Sequence, residues 1–265
     1  MAKVIEVLWY PFRAAIIKKL GEYRHYLIDY IVGLLVKIVF FVAMLVAYPE
    51  PELLDNLARV GGFILWYLAA HVLAKMSNVF IEEASLGTLL QVLSARTPLL
   101  LYLVVHAIAE VVMSTIWIGA FVVLAGLLTP VWTAVGQLSL WQVGTALGVM
   151  ILALVAVMGM GLVLFGLSIR FKRVGSISEV LSFWMLFFSG FYIPSSDLPR
   201  AIVVISSASP LWWAFEIISR LLHEGPLGLT VVGLAVNTTV WISAGMILTN
   251  SFLRQAKARG ILTTY

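Results

Sequence analysis

The side chains that could do acid–base, metal or nucleophilic chemistry in this chain are four histidines, thirteen carboxylates and a scatter of serines. His25, His71, His106 and His223 are too far apart to show a usual metal-ligand spacing. His223-Glu224 opens like a metalloprotease motif but runs on into Gly225-Pro226-Leu227, so the second histidine is missing. No serine sits in a Gly-x-Ser-x-Gly elbow. No Gly-Lys dipeptide occurs, so the chain has no phosphate-binding P-loop and cannot hydrolyse ATP alone. The absence of cysteine removes disulfides, thiolate catalysis and Cys-ligated metal centres. An enzyme is not expected, and neither metal nor cofactor has an evident place in this chain.

What remains is a small set of polar groups inside apolar stretches. Lys37 and Glu110 each lie about eleven residues from the nearest end of a long apolar segment, so both are placed near mid-membrane. An unpaired charge there costs about 2.5–3.5 kcal/mol on insertion scales, which makes the two natural partners. His106 lies one turn before Glu110 on the same helical face, and His71 falls at middle depth of another segment. Two roles are open for Lys37, His106 and Glu110. They line a translocation path as a rearranging charge pair, or they fix helix packing. An ion- or proton-coupled transporter or channel would use the same three as a relay. Such transporters show paired interrupted spans in two halves, and this sequence shows none. A membrane scaffold without transport is a third class that no residue excludes.

The elements that must hold these groups follow from composition. Of 265 residues, 62% are apolar and 11% charged, with a mean hydropathy of +1.04. Soluble domains carry about 45–50% apolar and about 25% charged residues, so this is an all-α integral membrane protein. Crossing about 30 Å of hydrocarbon takes about 20 apolar residues. Segments 26–48, 60–80, 99–127, 143–169 and 227–248 qualify, and 177–193 is shorter but continuous. Segment 201–222 is long enough but contains Ser209-Pro210, Glu216 and Arg220.

Charge placement selects six spans. With six, all of the seventeen Lys and Arg except Lys37, Arg59, Arg200 and Arg220 fall on one side, and the opposite first loop carries Glu50, Glu52 and Asp55. Both termini are then cytoplasmic, in the plasma (inner) membrane. Segment 201–222 becomes two short helices broken at Pro210, a re-entrant outer hairpin between the fifth and sixth spans. In residues 1–25, Val4, Ile5, Leu8, Trp9, Phe12, Ile16 and Leu20 recur at helical spacing, giving an amphipathic interfacial helix that Pro11 is expected to kink or restart. The chain reads as one membrane domain over 1–265: interfacial helix 1–25, six-span bundle 26–252 and cytoplasmic tail 253–265. Gly144, Gly148, Gly159 and Gly161 allow close helix approach, expected within the protomer.

Two loops carry a resemblance. After the second span comes EEASLGTLLQVLSARTP, and further on FFSGFYIPSSDLPRAIVVISSASPLWWAFEIISRLL. The first resembles the acidic, Gly-Thr-containing segment that follows the second helix in ABC type-2 exporter permeases. The second is similar to that family's Ser-Gly, Pro, Leu-Pro and Ser-Pro-Leu series before a short helix ending in Arg. Both lie in the right places on a six-span scaffold, so the resemblance covers essentially the whole chain.

The resemblance implies a permease that dimerises, as a homodimer or with a similar partner. It implies two copies of a separate ABC ATPase subunit, which would bind ATP and Mg, with no cofactor in this chain and no nucleic acid as partner. The cargo implied is a drug, a lipid or a lipid-linked glycan. Residues 82–94 would form the coupling helix, with Glu82 and Glu83 at its start, Gly87-Thr88 at its centre, and Leu86 and Leu90 on its apolar face. Acidic residues favour a helix N-terminus on independent grounds. On the outer side Ser189, Gly190, Pro194, Pro199 and Pro210 would shape the hairpin, and Trp212 and Trp213 would form either a gate or part of an interfacial aromatic ring with Trp132 and Trp141.

Overall fold

In the computed structural model, the described residues are 2–47, 53–95, 98–171 and 174–258, with side chains from Trp9 onward except Leu90, Leu93 and Ser196. Glu50, Glu52, Arg96, Lys172, Arg173 and Arg259, which enter the charge argument, lie outside the described residues, as does the side chain of Lys3.

Every regular element described is helical. In chain order they are α1 (Ala2–His25), α2 (Leu27–Ala47), α3 (Leu53–Ser85), α4 (Leu89–Ser94), α5 (Leu99–Leu128) and α6 (Val131–Val135). Then follow α7 (Leu140–Phe171), α8 (Gly175–Phe188), α9 (Arg200–Ser206), α10 (Pro210–Leu222) and α11 (Gly228–Ala258). Among them α2, α3, α5, α7 and α11 are long and apolar enough to cross a membrane. The expectation of an all-helical membrane protein holds at that level. α8 has 14 residues, about 21 Å of helix, short of a bilayer on its own. The segment 177–193 is helical only to Phe188, because Ser189 turns its hydroxyl back onto the Met185 carbonyl and Gly190 takes a left-handed φ of 91°.

The core is built on α3 and α7, whose apolar residues run round most of the helix surface. Phe41 of α2, Phe63 of α3 and Phe121 of α5 meet at centroid distances of 4.9–5.4 Å and are essentially unexposed. α7 and α11 pack at backbone distance. A Cβ on Gly245 would stand 2.5 Å from the Gly159 carbonyl oxygen, and the Thr249 hydroxyl donates to the Leu162 carbonyl at 2.8 Å. Gly161 presses on Met76 of α3, whereas Gly144 and Gly148 face open space. The small-residue seam inside the protomer is thus the second half of α7.

α1 runs as one helix across Pro11, with no restart. Its packed side is also unexpected. Ala15 is buried against the bundle together with the half-buried Lys18, Lys19 and Glu22, while Trp9, Ile17 and Leu20 are exposed. Trp9, Ile17 and Leu20 thus share the side away from the bundle with the exposed Arg13, while Phe12 and Ile16 are half-buried. At the C-terminus α11 continues to Ala258, ten residues past the predicted end of the sixth span.

Between α8 and α11 the chain turns sharply. α9 and α10 meet at 102°, and Pro194, Pro199 and Pro210 each precede or begin a helical turn, where a missing N–H is harmless. Ser209 caps α10 by accepting from the Leu211 N–H at 3.2 Å.

Candidate functional site

The segment expected to be a coupling helix is an elbow. α3 runs through Glu82 and Glu83 to Ser85, so both acids close a helix rather than open one. Gly87, at φ 71°, ends it: its N–H donates to the Ala84 carbonyl at 3.1 Å and the Thr88 N–H to the Glu83 carbonyl at 3.0 Å. This is the Schellman pattern, in which a left-handed glycine satisfies the last free carbonyls. The six-residue α4 follows. Leu86 is exposed, and the side chain of Leu90 lies outside the described ones.

Carboxylates at a helix C-terminus oppose the helix dipole, and cations offset this here. Glu83 is buried, 7% exposed, and its carboxylate accepts from the Thr88 hydroxyl, from Tyr102 of α5 at 2.9 Å and from Lys18 of α1 at 3.3 Å. Glu82 pairs with Lys75 at 2.7 Å and with Lys18 at 3.7 Å. One carboxylate therefore joins the elbow, α1 and α5.

One residue further along α1, Lys19 makes the second clamp. Its ammonium is 2.9 Å from Glu110 of α5 and 3.3 Å from Glu22, and it stands over the rings of Tyr30 and Tyr23 at 5.3 and 5.6 Å. His71 Nδ1 is 3.3 Å from the other Glu110 oxygen. Burial alone would push the Lys19 ammonium down, but Glu110 and the Tyr30 hydroxyl hold it above the ordinary lysine value. Burial pushes the Tyr23 phenol up to about 12.

This corrects the pairing of Lys37 with Glu110. Among the described residues the partners of Glu110 are Lys19 and His71, while Lys37 donates to the Gly33 carbonyl at 3.5 Å and lies 4.8 Å from the Tyr67 ring. His106, on the Glu110 helix, meets the Tyr102 ring at a 52° tilt with centroids 4.3 Å apart instead of joining Glu110 in a relay. The depth estimate changes as well. α5 has 30 residues, about 45 Å, so it overreaches about 30 Å of hydrocarbon, and eleven residues from its start no longer fix Glu110 at mid-membrane.

Sequence reasoning missed Lys18, Lys19 and Tyr102. Adjacent helical residues point about 100° apart, so two neighbouring lysines on an otherwise apolar helix can reach two different helices. That was the available signal.

At the opposite end, Trp213 is a structural cap. Its indole N–H donates to the Ser207 carbonyl at 2.7 Å and its ring packs on Gly233 of α11. Asn237 and Trp241 of α11 donate to the same turn, at 3.3 Å to Ser207 and at 3.0 and 2.9 Å to Ala208. Trp212 meets Trp213 edge-on at 4.8 Å. Phe191 is buried against Gly62, while Gly190 lies beside Phe215. His223 Nε2 lies 3.5 Å from Asp55, tying the end of α10 to the start of α3.

No curated protein sequence matches the chain. The sequence pattern of ABC-2 type transporters does, over residues 7–222, from within α1 to the end of α10, so that the elbow, both clamps and the bent α9–α10 pair all fall inside it. With more than half its length matched and its apolar helices in hand, this chain is a multi-pass membrane protein and belongs to the ABC-2 type transporter family.

Proposed function

We propose that the chain is the permease subunit of an ATP-driven exporter, working as a dimer with two separate ATPase subunits that bind ATP and Mg. Both termini are cytoplasmic and the membrane is the plasma (inner) membrane, so the elbow, with Glu82, Glu83, Gly87 and Thr88, faces the ATPase. The single domain spans 1–265, and α9–α10 form a re-entrant outer hairpin. The cargo is a drug, a lipid or a lipid-linked glycan. In this reading, closure of the ATPase subunits pushes α4, and the push reaches α1 and α5 through the Glu83 carboxylate.

The observation that supports it is the convergence of Lys18, Thr88 and Tyr102 on Glu83, at an exposed elbow within the family match. A buried, multiply bonded carboxylate resists displacement, and so passes on movement instead of absorbing it.

The test is to purify the tagged chain from its native membranes in mild detergent, identify what co-purifies, and measure ATP hydrolysis. A soluble ATPase is expected, held less well by Gly87→Trp. A chain that purifies with no nucleotide-hydrolysing partner under several conditions would sink the proposal. Because the natural sequence has no cysteine, single cysteines at Ser94 and Ser207 report the sidedness of the two ends by labelling with a membrane-impermeant maleimide.

A further inference from the structure

A cavity of about 310 Å³ lies between α2, α3 and α8, near the lower bound of about 300–1,000 Å³ for small-molecule sites. Val36, Phe40, Trp66 and Phe183 make its wall mostly apolar, and Lys37 and Glu179 interrupt it. Glu179 is exposed, five residues into α8. Lys37 is half-buried at the middle of a 21-residue apolar helix.

The partners of Lys37 set it apart. Among the described residues the other half-buried lysines each have a carboxylate: Lys18 has Glu83, Lys19 has Glu110 and Lys75 has Glu82. Lys37 has a carbonyl at the limit of hydrogen-bond distance and the face of Tyr67. These compensate an ammonium poorly in an apolar setting, where buried charges are paired or lie on a ligand path. In the same wall stands His71, whose Nδ1 is engaged by Glu110 and whose Nε2 is buried with no partner among the described residues.

We propose that this cavity binds an amphiphile with an acidic head, the tail against the apolar wall and the phosphate or carboxylate on Lys37. As cargo recognition the proposal rests on the exporter reading above. Occupancy of the cavity does not.

The test uses the full chain in phosphatidylcholine nanodiscs and two photoreactive probes of equal chain length, one an alkyl phosphate and one an alkyl trimethylammonium, with mapping of the labelled peptides. The phosphate probe is expected to label the cavity-facing parts of α2, α3 and α8, and the cationic probe is not. Lys37→Met and Lys37→Gln should each lower that labelling by about tenfold or more, as befits loss of a hydrogen bond to a charged group, while Lys37→Arg keeps it. Competition by phosphatidylglycerol but not by inorganic phosphate is expected for an amphiphile.

Equal labelling by the two probes on the unaltered chain would overturn the proposal without any variant having to fold. Undiminished labelling of both neutral variants, or competition by inorganic phosphate alone, would do the same. Specific labelling with no co-purifying ATPase would remove the exporter reading and leave the site. An ATPase complex with an unlabelled cavity would do the reverse.

Discussion

The ammonium of Lys19 and the carboxylate of Glu110 meet at 2.9 Å, with 12% of the lysine side chain and 3% of the glutamate side chain exposed. α1 is thereby fixed to α5 by its charged side, with Trp9, Ile17 and Leu20 left exposed. The pair gives α1 a defined seat on α5, because groups so enclosed have little water to fall back on.

Removal of one partner strands the other. Lys19→Met is expected to destabilise the protein by about 3–5 kcal/mol, the usual cost of leaving a buried charge alone. Glu110→Gln added to it should restore part of the loss, because the stranded charge is then gone. Thermal unfolding in detergent of the two single variants and the double variant closes the cycle. Additive losses would show that the two residues do not interact.

The same pair sets an alkaline limit. The ammonium of Lys19 and the phenol of Tyr23 are both raised in the folded chain. Their contribution is therefore fully present below their unfolded values of about 10 and is lost as pH rises beyond that. Melting temperature should stay level from about pH 7 to 9 and fall above about pH 10. The fall should be shallower in Lys19→Met, and an identical pH curve for that variant would count against the clamp.

At the elbow, a methyl on Gly87 meets no atom within 4 Å, so Gly87→Ala tests backbone conformation alone. The left-handed φ should cost about 1–2 kcal/mol. Thr88→Val removes the hydroxyl from Glu83 and should cost about 1.5–3 kcal/mol, as for hydrogen bonds to charged groups. On the proposed function, both are expected to lower hydrolysis by the co-purified ATPase more than they lower the melting temperature. Unchanged coupling in both variants would mean that the elbow is a passive turn.

Two glycines of similar sequence context should behave oppositely. Gly245→Ala drives a methyl against the Gly159 carbonyl and must part α7 from α11, at about 1–3 kcal/mol. Gly148→Ala fills open space on an exposed helix face and should gain about 0.5–1 kcal/mol. Comparison of the two melting temperatures checks both at once. A Gly148→Ala variant that is destabilised only at high protein concentration would place that face in a dimer seam.

Much of the helical layout is legible in the sequence, because a run such as that of α2 leaves no other use for so many apolar residues. The elbow residues are legible too, though not their geometry. Nothing local distinguishes Glu82 and Glu83 as the end of one helix from the start of the next, since Gly87 can serve as a C-terminal stop or as an interior residue. The partners of Glu110 are illegible for a different reason. Depth counted along a single helix assumes that each span fits the bilayer, and α5 exceeds it, which brings Lys19 within reach. Trp213 reads in the sequence as an interfacial ring or a gate, and nothing there shows its hydrogen bond to the Ser207 carbonyl.

That carbonyl and its neighbour bear on what the bend between α9 and α10 can bind. Ser207 accepts from Trp213 and Asn237, and Ala208 from Asn237 and Trp241, so the two lone pairs of each oxygen are taken. In ion-coupled carriers, unwound carbonyls of this kind are the ligands that strip a sodium ion of its water. Here they are already spent on nitrogen donors, and a broken helix that resembles a cation cradle in outline is electrostatically mute.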